Sequence, residues 1–370
     1  MSPKVIIVGA GIVGCTVAYE IAKQGARVDI LEPRGVGQGA TRASAGILAP
    51  DIEGHGSILL RTLGRRSIAL YDGFISRLRA DSGHDIFYQR NGTFDLAFSS
   101  ADVDRLQALA RSLAHDRIEA NWIEPAAFDR YEPRASKQAH GALFIPIHGF
   151  VGVTSLTAAA LAAAERFGAR LTSNTGAIRI FPMPGGRAGV ESANRTWEAD
   201  RVVLAAGSWS SMIAVEGADP VPVKPIRGQL IQLQTDPGAI NRVLWGPDGY
   251  LVPWPDGAVL VGSTVEDVGF DEQHTDDAVA KLRAAAVSLV PSLAAAAMTG
   301  VRTGLRPKGP DDVPLLGRST AVPGLIYATA HYRNGVMFTP LTVQLVTDLV
   351  FDRPSDPALV DLDPARVGRL

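Results

Sequence analysis

A glycine spacing near the N-terminus limits what the first part of this chain can become. Lys4-Val5-Ile6-Ile7-Val8 is a short apolar run, Gly9-Ala10-Gly11-Ile12-Val13-Gly14 follows it, and a helical apolar pattern continues to Gln24. That order predicts strand, tight turn and helix. In such a unit Gly9 permits the turn, Gly11 lets the backbone approach a pyrophosphate, and Gly14 lets the helix press on the strand. The helix start offers N–H groups and a positive dipole end. A second apolar strand, Val28-Asp29-Ile30-Leu31, ends in Glu32, where a carboxylate can accept bonds from ribose hydroxyls. The spacing predicts dinucleotide binding. It does not separate NAD from FAD, because both carry the same ADP half.

Length and charge narrow the class. A chain of 370 residues suits two intimately joined domains. With 46% hydrophobic residues, 20% charged residues and a formal charge of −2, it carries no long run of one sign and no footprint for nucleic acid or an anionic membrane. No stretch reaches the length of a membrane span, and the apolar N-terminus is explained by its glycines rather than by a signal peptide. One cysteine, Cys15, excludes an intrachain disulfide and a thiolate zinc cluster. The expectation is a soluble cytoplasmic protein that handles small molecules and is compatible with a homo-oligomer.

Further along, residues 33–48 form a loop of small residues suited to close backbone approach. Ser57 to Ala80 has helical spacing interrupted by Gly64 and Gly73. A strand is expected at Thr93–Phe98, a Ser100-capped helix through Leu113, short strands from His140 to Val153, and a helix from about Thr154 to Gly168. The strand Arg201–Ala205 runs into Ala206-Gly207-Ser208-Trp209. Three runs, Gly228–Leu233, Gly249–Pro253 and Ala258–Gly262, suggest an antiparallel sheet, closed by a helix over Asp276–Leu289. Gly304-Leu305-Arg306-Pro307 reads as a turn. After a strand at Gly324–Ala328 comes His331-Tyr332-Arg333-Asn334-Gly335, with Thr339-Pro340 starting a last helix.

Taken in order, Gly9–Gly14, Glu32, Ala45-Gly46-Ile47, Ala205–Trp209, Gly304–Pro307 and His331–Gly335 make the chain resemble the D-amino-acid oxidase family of FAD-dependent flavoproteins, its glycine-oxidase branch most. The likeness covers nearly the whole chain. It implies an α/β fold: a discontinuous Rossmann-like FAD-binding domain (1–80, 141–218 and 301–370) and a smaller substrate domain (81–140 and 219–300) on a mixed or antiparallel sheet. It places Ile12 and Val13 at the pyrophosphate, Glu32 and Pro33 at the adenosine ribose, and Ala177 at the adenine. Ala40, Thr41, Ala45, Gly46 and Ile47 lie along the flavin, with Ala206 and Gly207 among the cofactor-binding residues. His331, Tyr332, Arg333, Asn334, Gly335, Val336 and Met337 wrap the isoalloxazine. Two positions depart from the family pattern: Ala177, where valine is common, and Thr329-Ala330, where Ala-Gly is common. No cysteine lies near the implied flavin, so the FAD is expected to be non-covalent.

The resemblance implies oxidation of glycine, sarcosine or a small D-amino acid by hydride transfer to flavin, with hydrogen peroxide released if oxygen is the acceptor. A substrate carboxylate calls for a guanidinium fork. Arg306 is the candidate anchor, and Tyr250 the candidate hydroxyl beside it. Arg333, the amides near Gly335 and the last helix start are candidates to stabilise reduced flavin. His331 is either a flavin contact or a strand-end histidine. The six other histidines, His55, His84, His115, His140, His148 and His274, lack metal-ligand spacing, so no metal is expected. Trp245 and Trp254 read as sheet packing. A dehydrogenase using another acceptor, a 2-hydroxy-acid substrate, and a non-catalytic nucleotide-binding regulator are the alternatives.

Overall fold

The structure is a computed structural model that describes residues 2–370 apart from 54–56. His55 therefore lies outside the described residues. β1 (Lys4–Val8) is followed by α1 (Ile12–Lys23) and β2 (Arg27–Glu32), as the glycine spacing predicts. β1 lies inside a six-stranded sheet, between β2 and Arg201–Leu204. Arg170–Ser173 pairs beyond β2, while Leu325–Thr329 and then Leu315–Arg318 continue the other side. Every neighbour is parallel except that last pair. β1 is apolar throughout its buried length because both faces are covered. Val5 and Ile7 pack towards α1 and the helices Val153–Arg166 and Thr339–Val350. Ile6 and Val8 pack towards Ile180, Val190 and Trp197 of a second, four-stranded sheet.

That second sheet includes the meander Arg179–Met183, Arg187–Glu191 and Thr196–Ala199. It is missing from the sequence reading, although Gly185-Gly186 marks its first turn, with both glycines at positive φ.

The larger sheet has eight strands in the order Ala297–Lys308, Lys224–Gln234, Ala258–Gly262, Gly249–Pro253, Val243–Gly246, Thr93–Ala97, Gly141–Ile145 and Asn121–Ile123. It is mixed, because Val243–Gly246 runs parallel to Thr93–Ala97 while the other pairs are antiparallel. Leu233, Leu251 and Val261 pack with Leu282 and Leu289 of the Asp276–Leu289 helix.

Three local readings are corrected. Gly304–Pro307 is not a turn but the end of the twelve-residue strand Ala297–Lys308. Its glycines and Pro307 misled the reading, yet this is an edge strand, where proline is tolerated. The expected domain boundary at 300/301 falls inside it. Ile58–Ser82 is one helix, capped by Ser57 and ended by Gly83 at φ +73°. Gly64 does not divide it: a Cβ there would meet Pro50 Cβ at 2.7 Å, so its bareness admits the short helix Pro50–Glu53. The next helix, Ser100–His115, is capped by Ser99 rather than Ser100, its hydroxyl accepting from the Asp102 N–H at 3.1 Å.

Candidate active site

A cavity of about 390 Å³ lies where the two main sheets meet. Its first wall starts at the glycine turn. Gly9 has φ +107°, and a Cβ there would lie 2.6 Å from the Ala205 carbonyl oxygen, so only glycine fits. A Cβ on Gly14 would lie 1.9 Å from the Gly9 oxygen. Gly14 therefore serves helix-to-strand packing, and of all the expected site residues it alone does not line the cavity. The Ile12 N–H at the start of α1 donates to Thr41 Oγ1 at 3.1 Å. Glu32 accepts from the Ala10 N–H at 2.8 Å and the Arg34 N–H at 2.7 Å. A carboxylate has about four acceptor positions, so capacity remains for hydroxyl groups in the cavity. Cys15 is buried, and burial pushes its thiol up to about 12, with Glu32 adding to the shift. It behaves as a packing residue.

Ala40, Thr41, Ala45, Gly46 and Ile47 continue this wall. Gly46 sits at φ +77°, where a Cβ would collide with the Val151 oxygen at 1.9 Å. Pro33, Ala177, Ala206 and Gly207 line the same cavity, as do residues 331–337. Thr329 is buried in a small polar cluster, its hydroxyl 2.8 Å from Ser210 Oγ. Ala330 and Tyr332 both hold positive φ, +59° and +47°. Ala330 thus occupies, with a side chain, a conformation that glycine adopts without strain.

The His331 ring points to helix Thr339–Val350, with Nε2 3.0 Å from Thr342 Oγ1. Burial lowers its pKa to about 4, so the ring is neutral near pH 7. At the same helix start the Thr339 N–H is bonded to the Val336 carbonyl and the Leu341 N–H to Ser67 Oγ, while Pro340 has none. These amides are satisfied within the protein. Asn334 Oδ1, in contrast, is buried without a partner among the described residues.

The opposite wall is made by charged side chains. Arg306 projects from the Ala297–Lys308 strand across Gly228, where a Cβ would lie 2.2 Å from Arg306 Nη1. Its guanidinium donates to the Thr264 carbonyl at 2.9 Å and to Ser263 Oγ at 2.8 Å, both neutral acceptors. Burial lowers its pKa from the usual arginine range, with Arg333 adding to the effect and Tyr250 opposing it. Among the described residues no carboxylate lies within ion-pair distance of it. Tyr250 is buried beside it, its ring 4.9 Å from that of Trp245, and burial raises its hydroxyl pKa. Trp245 and Trp254 do not line the cavity; Trp254 packs on Phe87, 5.1 Å away. Arg333 Nε donates to Glu53 Oε2 at 2.9 Å. Glu53, Ser263 and Gly228 were not found from the sequence, for none belongs to a spaced motif.

These residues fit an FAD. A glycine turn, the Glu32 carboxylate at the end of β2 and a wall of small residues make a cradle that added Cβ atoms would fill. The Asn334 acceptor, which lines the cavity and has no partner among the described residues, calls for a polar partner.

Comparisons with known proteins agree. A model of the DAO family, FAD dependent oxidoreductases, matches residues 4–349. Glycine oxidase from Geobacillus kaustophilus is 31% identical over 348 residues, covering 94% of this chain and 92% of that protein. The bifunctional protein ThiO/ThiG of Nostoc sp. is 31% identical over 363 residues, 97% of this chain. The chain spans 54% of that protein's length. The crystal structure of glycine oxidase from Geobacillus kaustophilus superposes with a TM-score of 0.94 at 30% identity, covering 99% of each chain. That of iminodiacetate oxidase from Chelativorans sp. BNC1 gives 0.87 at 28% identity, covering 97% and 98%. Sequence match, fold and cradle lead to one conclusion: the chain belongs to the DAO family of FAD-dependent oxidoreductases.

Proposed function

We propose that this enzyme oxidises a small amine bearing one carboxylate, such as glycine, sarcosine or a small D-amino acid, in the cytoplasm. The observation that carries the reading is Arg306: a half-buried guanidinium bonded, among the described residues, only to neutral acceptors and open to the cavity. A cation so placed favours a carboxylate that replaces its lost water, and the planar fork suits two oxygens. Tyr250 would donate to the same carboxylate. Bound FAD supplies the acceptor for the hydride that leaves the α-carbon.

The chain's own task is to orient that carbon and keep water out, with the amine neutral so that its lone pair can form the imine. Hydrolysis of the imine then gives an oxo acid and ammonia or an amine. FAD is held non-covalently in this reading, with Glu32 at the ribose and residues 331–337 around the flavin. The relatives named glycine oxidase and iminodiacetate oxidase support an amine substrate. The test is anaerobic mixing of purified enzyme with a panel of amino and hydroxy acids while flavin absorbance is followed. Bleaching by glycine, sarcosine or D-alanine is expected; bleaching by hydroxy acids alone would overturn the amine assignment. Admitting oxygen afterwards and assaying peroxide identifies the acceptor.

A further inference from the structure

The cavity wall contains an ion pair whose partners lie 280 positions apart. Glu53 ends the short helix Pro50–Glu53, lines the cavity, and accepts from Arg333 Nε at 2.9 Å. The two side chains are only 11% and 17% exposed, so water and salt screen the pair weakly. The short helix is fixed from behind. Asp51, fully buried, lies 3.0 Å from His148 Nε2 and accepts from Arg65 Nε at 2.7 Å. Burial opposes charge on Arg333, but Glu53 outweighs it and holds the guanidinium above its usual range, whereas Arg306 is held below its own. Two guanidinium groups and one carboxylate thus line this part of the cavity. The positive charge left over resides on Arg306.

We propose that Glu53 sets the charge selectivity of the site. By pairing with Arg333 it leaves Arg306, of the two guanidinium groups beside it among the described residues, as the one available to an anion, so this part of the cavity accepts a monocarboxylate and disfavours a dicarboxylate. The proposal deepens the function given above and rests on Arg306 as the carboxylate anchor. Glu53 acts through Arg333, as a specificity-determining residue. Removing its charge without its shape releases a second cation beside the first, and a second carboxylate then gains a partner.

The test uses FAD-loaded enzyme and two unreactive ligands, acetate and malonate, titrated by calorimetry, so that it reads binding without turnover. Wild type is expected to bind acetate at least as tightly as malonate. Glu53→Gln is expected to shift the malonate-to-acetate affinity ratio at least tenfold towards malonate, with flavin content unchanged. Glu53→Asp, which keeps the charge, should stay within about threefold of the wild-type ratio. In turnover, Glu53→Gln should lower KM for D-aspartate relative to D-alanine while the ratio of kcat values moves little.

A wild-type preference for malonate overturns the proposal, and this measurement decides even if Glu53→Gln fails to retain flavin. An unmoved ratio in Glu53→Gln, or an equal shift in Glu53→Asp, overturns it too. A shifted ratio in an enzyme whose flavin no amine bleaches sustains the inference and refutes the amine oxidation. Bleaching by glycine with an unmoved ratio does the reverse.

Discussion

The two walls of the cavity are built by different means. On the side of β1 and α1, the surface consists of backbone and small side chains: Gly9, Gly11, Ala40, Ala45 and Gly46. Facing it, the eight-stranded sheet and the short helix bring Arg306, half-buried, and Tyr250 and Glu53, both buried. The first wall fails if atoms are added, since a Cβ at Gly9 or Gly46 meets a carbonyl oxygen at 2.6 or 1.9 Å. The second fails if partners are removed, because a buried charge without its hydrogen bonds carries its full desolvation penalty. In the proposed reading, backbone holds a cofactor that stays, and side chains select a ligand that comes and goes.

The largest test of this division is Arg306→Ala. We expect a loss of about 2–4 kcal/mol in transition-state stabilisation, roughly 30- to 1000-fold in kcat/KM, with FAD still bound. Lysine should restore only part, since a point charge lacks the fork. Steady-state kinetics with flavin-content measurement checks both. If activity survives Arg306→Ala but collapses in Arg333→Ala, the anchor has been assigned to the wrong arginine.

His331 lies where the walls join, and its pH response sharpens the division. Its pKa is lowered to about 4 by burial. The unfolded chain takes up this proton near pH 6.5, whereas the native ring refuses it until about pH 4. Between those values the unfolded state binds more protons, so stability is whole above about pH 6.5 and falls as pH drops. The difference between about 6.5 and about 4 corresponds to at most about 3.4 kcal/mol. Urea unfolding of wild type and His331→Asn across pH 4–7.5 should show this slope in the wild type and its reduction in the variant. Because Nε2 faces Thr342 rather than the cavity, the visible flavin spectrum should stay unchanged over the same range.

What could be read from the sequence follows the same line. Gly9, Gly11, Gly14 and Glu32 fall within 24 residues, and local spacing dictates their geometry, so strand, turn, helix and a carboxylate ending the second strand were all legible. Tyr250 came only through resemblance, and Arg306 from its place in an apolar stretch together with the resemblance. Nothing near Arg306 announces Ser263, 43 positions away, and nothing near Pro50-Asp51-Ile52-Glu53 announces Arg333. Such pairs exist only after the sheets are assembled. The Ala297–Lys308 strand was missed for a related reason: Gly304 and Pro307 signal a turn locally, yet Gly304 pairs with Gly228 and faces Ala43, where a Cβ would come within 2.7 Å.

Glu32→Ala probes the first wall at a smaller magnitude. Its carboxylate fixes two backbone N–H groups besides serving the ribose in the proposed reading. FAD retention should weaken by about 1.5–3 kcal/mol, without a change in substrate preference. Equilibrium dialysis of FAD, with the substrate panel repeated on reloaded enzyme, measures both. An unchanged FAD dissociation constant would show that the first wall does not rely on this side chain.

The finest test separates fold from anchor at one atom. Gly228 lies in the Lys224–Gln234 strand, not at a positive φ, and the nearest atoms to a built Cβ are Arg306 Nη1 at 2.2 Å and Cζ at 2.3 Å. Those atoms end a flexible side chain, so Gly228→Ala can be accommodated by moving the guanidinium instead of the backbone. Alanine also restricts the unfolded chain more than glycine does, which offsets part of the strain. Stability should therefore fall by about 1–3 kcal/mol, the penalty of the disturbed guanidinium hydrogen bonds less that offset. The displaced guanidinium would lose its alignment on Ser263 and Thr264, and with it the fork presented to a carboxylate. We expect kcat/KM to fall about tenfold, equivalent to about 1.4 kcal/mol, mainly through KM, with FAD retention unchanged. Thermal unfolding, FAD titration and steady-state kinetics on the one variant read the three quantities separately. A variant that loses FAD or more than about 3 kcal/mol of stability would show that this glycine serves the sheet, and the two walls would then be less separable than their construction suggests.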